Sequence, residues 1–570
     1  MTNKPLGSVI QGSLSEGLEV RLHADVSVEE MRVGKFMVVQ GRRSRFFCLV
    51  TDMALGTSSN RILANPPEPE NSFLQEVLAR SSTYGTIDLT PMLMFTPKMG
   101  EKDNFVQGKN GKSPLASFQA QTSIDLDLIM PVKTIPSHFS QVYDASEYDF
   151  RAVFGWEDDP GRRNFAIGKP IDMDVPVCID LDRFVERSNG IFGKSGTGKS
   201  FLARLLLSGI VSKQVAVNLI FDMHSEYGWE AVCEGKSFAT AKGLRQLFPG
   251  QVIVYTLDPE STKRRGIRDA QELYLGFNQI EVEDLNLVKR ELNLSEASLD
   301  SALLLRNHFG DNWIVQLLEM SNLDIEEFCK ENNGSKTSIA ALQRKLNRLT
   351  GLKYLRNFSG HNYINQILES LDAGKHVVVE FGSQSNLISY MLATNMITRR
   401  IHYAYVRKAD RFLQTKNPGD RPRPLVITIE EAHRFLDPSI ASQTIFGTIA
   451  REMRKYFVTL LVVDQRPSGI DKEVMSQIGT RITALLNDEK DIKAIFTGVS
   501  GGGNLRSVLA KLDSKQQALI LGHAVPMPVV VQTRPYDQTF YRELGETAWS
   551  DLPDEALFAA AAEALEDLGF

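Results

Sequence analysis

The sequence predicts an α/β chain: a parallel sheet covered by helices, with a small β-barrel ahead of it and a helical insertion within it. Three observations predict this. A glycine-rich loop, Gly193-Lys194-Ser195-Gly196-Thr197-Gly198-Lys199-Ser200, joins a short apolar strand to a helix. Apolar strands ending in acids then alternate with helical stretches, as in a sheet whose parallel strands are joined by helical crossovers. Residues 1–140 instead hold short apolar runs divided by turn residues, the pattern of a small barrel.

In residues 1–140, Gly34–Gln40 and Arg45–Val50 read as strands around the basic turn Gly41-Arg42-Arg43-Ser44. Thr86–Leu89 and Pro91–Phe95 read as two more, and Met99–Ser113 as a polar, Gly/Lys-rich loop. Residues 141–269 form the first part of the core. Phe165–Gly168 and Val175–Leu181 are strand-like, Asn189–Phe192 delivers the glycine-rich loop, and Phe201–Leu207 begins a helix. Ala216–Asp222 is a buried strand with an acid at its carboxyl end, where ligands of open α/β sheets bind. Gln251–Tyr255 is another strand.

Residues 270–370 change character. Leu304, Leu305, Leu317, Leu318, Phe328, Leu342, Leu346 and Leu349 recur at helical spacing among charges, which predicts an insertion containing helices over Leu323–Lys330 and Ser338–Arg348. The core resumes over residues 371–530. It has strands at Lys375–Phe381, Pro424–Ile429 and Phe457–Val463, and helices near Ile388–Lys408 and Ile440–Lys455. Residues 531–570 form an acidic C-terminal arm. Glu543–Phe570 lacks Lys and Arg and holds an Ala-rich helix, Leu557–Leu568.

Composition is that of an ordinary globular protein, with 570 residues, 24% of them charged and 42% hydrophobic. The net charge of -6 excludes a chain coated in nucleic acid, so any such contact must come from a local basic lining. Cys48, Cys178, Cys233 and Cys329 are far apart, which predicts reduced thiols and neither a zinc site nor a disulfide framework. Met1–Ile10 has no long apolar run and no segment approaches a membrane span, so a soluble, cytoplasmic protein without membrane contact is expected.

The chemistry gathers in five stretches. Gly193–Ser200 fits the P-loop pattern. Bare backbone at Gly193, Gly196 and Gly198 lets successive N–H groups wrap a polyphosphate, and the following helix points its positive end at the same place. Lys199 would reach the outer phosphates and the Ser200 hydroxyl would take a place on Mg²⁺. Leu425–Glu430 followed by Glu431 is an apolar strand ending in two acids. Glu430 would hold a Mg²⁺-bound water and Glu431 would polarise the attacking water. Arg451 and Arg454 are three apart on a predicted helix and suit an arginine finger for a neighbour's phosphate. Gln465, after the next strand, is placed to sense the terminal phosphate. Asp222 would help position the metal or the water. His224 in Asp222-Met223-His224-Ser225-Glu226-Tyr227 reads more simply as a packing histidine. Lys263-Arg264-Arg265-Gly266-Ile267-Arg268, and Arg399-Arg400 with Arg407-Lys408, are candidate phosphate contacts for nucleic acid.

Together these stretches resemble the HerA family of hexameric DNA translocases, within the FtsK/HerA group of ATPases. The run Ile449, Arg451, Arg454, Lys455, Tyr456 through Gln465-Arg466-Pro467-Ser468 is the most specific part of the match. The resemblance implies a RecA-like ATPase core behind a HerA-type β-barrel, in a homohexameric ring with ATP and Mg²⁺ sites between subunits. Arg451, with Arg454, would act from the next subunit. It further implies an ATP hydrolase that moves double-stranded DNA with an effector: a NurA-like nuclease in DNA end resection, or a sirtuin-like or nuclease effector in anti-phage defence. An ATP-binding assembly platform for an effector, or a secretion or conjugation ATPase, are the alternatives. The sequence departs from the family at Glu430, where the first acid is commonly Asp, and at Met453, where relatives usually have a small residue.

Overall fold

The computed structural model describes residues 4–58, 77, 83–95, 129–232, 240–357, 362–384, 386–442, 444–499, 502–512 and 516–550. The chain divides into two compact units, one of Met1–Asp180 with Ile482–Arg534, the other of Leu181–Arg481 with Pro535–Phe570. Residues on either side of the nucleotide core therefore group with the barrel. Antiparallel pairing ties those two flanks to each other: Val529–Thr533 lies between Gln517–Gly522 and Asn164–Lys169, and Asn164–Lys169 also pairs with Val177–Asp180.

The barrel is built from β1 (Gly7–Ser13), β2 (Gly17–Leu22), β3 (Phe36–Gln40), β4 (Arg45–Thr57), β5 (Thr83–Phe95), β6 (Ile129–Pro131) and β7 (Gln141–Asp144). The order β2-β1-β7-β3-β4-β5 closes through a β2–β5 pairing, and β6 adds to β5. Closure removes the unpaired edges that would otherwise template aggregation. Alternate residues turn inward, so Val9, Leu18, Val20, Met37, Val39, Cys48, Ile87 and Leu89 fill the interior. On the outside, Phe150 of the helix Glu147–Phe154 packs edge-on against Phe36 and Phe47. Ser146 and Asp149 form a capping box at the start of that helix, and Arg45 pairs with Asp149 at 3.0 Å.

Pro91 does not divide two strands as the sequence reading expected; β5 runs through it. Pro91 lies opposite Cys48 and Leu93 opposite Phe47, which leaves Met92 extra at a bulge. A bulge is where a sheet tolerates a residue with no N–H to donate. The Met99–Ser113 loop lies outside the described residues.

The second unit carries a parallel sheet. Its strands lie in the order Gln271–Glu272, Val252–Thr256, His376–Glu380, Val217–Asp222, Leu425–Glu430, Val458–Asp464, Asn189–Phe192. Val217–Asp222, Leu425–Glu430 and Val458–Asp464 are buried along their whole length, as strands covered on both faces must be. The insertion is helical as expected, with helices Glu296–Phe309, Trp313–Glu319, Asn322–Asn332 and Lys336–Leu346 around buried Trp313, Leu317, Ile325, Ile339 and Leu342.

The helix expected from Ile440 begins at Ile445, because the Thr444 hydroxyl accepts the Gly447 N–H and starts it there. It ends at Glu452 and gives way to a 3₁₀ turn. The helix Gln538–Ser550 belongs to this unit. Just before it, Tyr536 packs against Phe201 of the P-loop helix at 6.4 Å. The Ala-rich helix expected over Leu557–Leu568 lies outside the described residues. Among the described residues, no helix is long and apolar enough to cross a membrane.

Candidate active site

The glycine-rich loop leaves the strand Asn189–Phe192 and enters the helix Lys199–Ser212. Gly196 (φ 76°) and Gly198 (φ 91°) adopt left-handed backbone that side chains disfavour. A Cβ at Gly198 would meet nothing within 4 Å, so conformation rather than space demands glycine there. No side chain caps the N-terminal end of the helix, whose dipole suits an anion. The Thr197 hydroxyl (2.7 Å) and the Lys199 ammonium (2.9 Å) both donate to the Lys194 carbonyl and hold the loop in its curve. Ser200 is half-buried at the helix start. This arrangement fits a polyphosphate.

The strand next to the P-loop strand ends at Asp464, which pairs with Phe192, and the one beyond ends at Glu430, which pairs with Val463. Both acids and the loop therefore lie at one edge of the sheet. Glu430 is buried, and its Oε1 accepts from the Tyr227 hydroxyl at 3.0 Å. Its Oε2 has no hydrogen-bond partner among the described residues. The Tyr390 hydroxyl clips the backbone on both sides, accepting from Glu430 N (2.9 Å) and donating to Glu430 O (3.2 Å). Burial, then Asp222, Glu226 and Glu431, push the Glu430 carboxyl up to about 8. A buried carboxylate oxygen left over among acids fits a cation or a cation-bound water, and Ser200 and Glu430 are the residues that could hold Mg²⁺.

Glu431 adopts left-handed backbone (φ 49°), a strain of order 1–2 kcal/mol that is characteristic of functional positions. Gln465 Nε2 donates to Glu431 Oε1 at 3.4 Å. His433 Nδ1 lies 3.6 Å from Glu431 Oε2 and 3.0 Å from Asp464 Oδ2, and Asp464 also accepts the His433 and Arg466 N–H groups. Asp464 thus fixes the imidazole beside Glu431.

Asp222 is buried. Its oxygens accept the N–H groups of Glu226 (2.8 Å), Tyr227 (2.8 Å) and Gly228 (3.2 Å), which makes it the anchor of the turn that carries Tyr227. Burial and the neighbouring Glu380 push its carboxyl up to about 6. His224 is exposed and does not pack as expected. Arg451 Nε lies 3.3 Å from Glu473 Oε2. The Arg454 side chain lies outside the described residues.

The roles of Tyr227, Tyr390, His433 and Asp464 escaped sequence reasoning, although all but Tyr390 stand inside or beside motifs already singled out.

The basic clusters need correction. Arg399 is buried and bound to Asp284 and Glu281, so it is no phosphate contact. Lys408 pairs with Asp372, Lys263 with Glu272, and Arg265 with buried Glu380 at 2.6 Å. Arg264, Arg268 and Arg407 remain exposed.

The model of the family described as "Helicase HerA, central domain" matches residues 165–401, and that of the "HAS barrel domain" matches residues 6–102. The DNA double-strand break repair helicase HerA of Pyrococcus furiosus is 23% identical over 446 residues, covering 73% of this chain and 77% of the relative. The protein of the same name from Sulfolobus acidocaldarius is 26% identical over 402 residues, covering 69% and 72%. Among solved structures, VirB4 of Thermoanaerobacter pseudethanolicus aligns at 12% identity with a TM-score of 0.43, covering 67% of this chain and 99% of that one. The two family models fall on most of the barrel and on the P-loop with the strands of its sheet as far as His376–Glu380, and over these stretches the chain is similar to HerA helicases.

Proposed function

We propose that the protein is an ATP-driven motor that moves double-stranded DNA. The observation that carries this reading is the placing of the P-loop and the Glu430–Glu431 pair at one edge of one parallel sheet, a single strand apart. That edge belongs to a chain whose relatives are named DNA double-strand break repair helicases.

In this reading Gly193, Lys194, Ser195, Gly196, Thr197, Gly198, Lys199 and Ser200 cradle the nucleotide polyphosphate. Lys199 leaves the Lys194 carbonyl and sets its charge against the outer phosphates. Ser200 and Glu430 hold Mg²⁺, which when bound neutralises phosphate charge and orients the terminal phosphoryl group. Glu431 takes the proton of the attacking water. Gln465 fixes the Glu431 carboxylate, and the Asp464–His433 pair supports it from the other side. Asp222 acts at one remove, through the turn it anchors.

Arg451 and Arg454 serve the site of a neighbouring copy in a homohexameric ring. The Arg451 contact to exposed Glu473 is weak enough to exchange for a phosphate. The ring delivers DNA to a partner effector. A NurA-like nuclease in end resection is the first choice over an anti-phage effector, because the relatives are named for break repair.

Steady-state ATP hydrolysis with and without linear duplex DNA, at low and high salt, tests this reading. Stimulation that fades with salt is expected of a motor that grips phosphates. Hydrolysis indifferent to DNA would overturn the motor and leave an ATP-dependent assembly platform.

A further inference from the structure

We infer that Tyr227 and Glu430 are a matched pair. The buried phenol ties up one oxygen of the longer acid, leaves Oε2 alone to take a ligand from outside the protein, and is itself set in place by Asp222. Tyr227 and Asp222 are then positioning residues for the metal, an inference that rests on the ATPase reading above.

The geometry explains why glutamate suits this position. The parallel register places Ile220 opposite Thr428, and two further residues on each strand bring Asp222 level with Glu430. Two neighbouring buried carboxylates repel, and the chain manages them differently. Asp222 is satisfied by three backbone N–H groups and turns the chain back on itself, with Ser225 in left-handed backbone (φ 58°). That turn delivers the Tyr227 side chain, fully buried, so that its hydroxyl donates to Glu430 Oε1 at 3.0 Å. Tyr390 fixes the Glu430 backbone independently. An aspartate would end about 1.5 Å short, beyond reach of the phenol. Tyr227 is therefore useful only to a glutamate, and the benefit of each depends on the other.

The test is a double-mutant cycle read by metal dependence. Binding of a fluorescent ADP analogue and ATP turnover are titrated with Mg²⁺ for the full-length wild type, Tyr227→Phe, Glu430→Asp and the double variant. Thermal unfolding of each serves as the control for folding. Tyr227→Phe should raise the Mg²⁺ requirement about 10-fold, as loss of an outer-shell partner does. Binding of the analogue without Mg²⁺ should stay unchanged. In the Glu430→Asp background the same change should shift the Mg²⁺ requirement by less than about 2-fold, because the two residues act as a unit. Asp222→Asn should reproduce the Tyr227→Phe shift and serves as the second variant if the phenylalanine protein fails to fold.

An unaltered Mg²⁺ requirement in Tyr227→Phe, or an equal shift in both backgrounds, overturns the matched pair while leaving the ATPase reading intact. A wild type that neither binds nor hydrolyses Mg²⁺-nucleotide overturns both.

Discussion

Two clusters of buried charge in the nucleotide-binding unit are built on opposite principles. Where the helix Leu387–Thr415 meets the insertion, Arg399 donates to Asp284 through Nε (3.2 Å) and Nη2 (2.8 Å), to the Gln279 carbonyl (3.2 Å) and to Glu281. Asn395 donates to the same aspartate at 2.8 Å. The chain itself supplies both signs, and the cluster is closed. At the sheet edge, the charged groups that act most strongly on buried Glu430 are other acids: Asp222, Glu226 and Glu431. That cluster is open, and its balance depends on what it binds. A self-neutralised network holds a fold together, whereas an unbalanced one marks a site.

The contrast makes predictions that can break it. The largest effect expected is on the open side. Lys199→Ala should lower ATP turnover by about 10³-fold or more, because the phosphates lose their main cation. Its unfolding midpoint in denaturant should stay close to that of the wild type. Retained turnover would remove the P-loop from the chemistry.

On the closed side the pattern should reverse. Arg399→Ala leaves fully buried Asp284 and half-exposed Glu281 without their cation, and should cost about 3–5 kcal/mol in chemical denaturation. ATP turnover per folded molecule should change little. A stable Arg399→Ala protein would show that the cluster joining helix and insertion is not a structural pin.

The smallest effect is one of pH. Glu430, raised from its usual 4.5 to about 8, binds its proton more tightly in the folded protein than in the unfolded chain. Between these values the folded state holds more protons, so stability falls as pH rises across that window. Asp222, raised to about 6, adds a contribution of the same sign at lower pH. The nucleotide-free protein should therefore melt at least about 2 °C lower at about pH 8 than at about pH 5. Glu430→Gln should flatten that fall. A profile as steep in the variant as in the wild type would place the lost stability elsewhere.

Parts of the molecule resolvable from sequence share one property: their signal is short-ranged. The P-loop is eight consecutive residues, and Glu430 and Glu431 end a run of apolar ones, so their placement at a strand end could be read directly. Tyr227 and Glu430 are 203 positions apart, and only the strand pairing brings them together. Asp464 and His433 meet for the same reason. Arg399 was misread because a basic pair on a helix looks alike whether it faces solvent or a buried acid, and Asp284 gives no sign of its partner. Thr86–Leu89 and Pro91–Phe95 read as two strands because the bulge that accommodates Pro91 within one is a property of a strand pair. Helix ends moved where a side chain decided them, as Thr444 does.

The pairing of Phe192 with Asp464 has a consequence for how the protein is made. As the chain leaves the ribosome, Asn189–Phe192 and the loop behind it emerge 464 − 192 = 272 residues before the strand that flanks them is finished. At cellular rates of synthesis that is a wait of roughly 10–50 s with an apolar strand unpaired. The barrel is spared this, since its last strand ends at Asp144 and its sheet can close early. The nascent chain thus carries its nucleotide loop long before it has a site, and a fragment that stops short of Val458 keeps the motif while lacking the strand that gives the motif its neighbours.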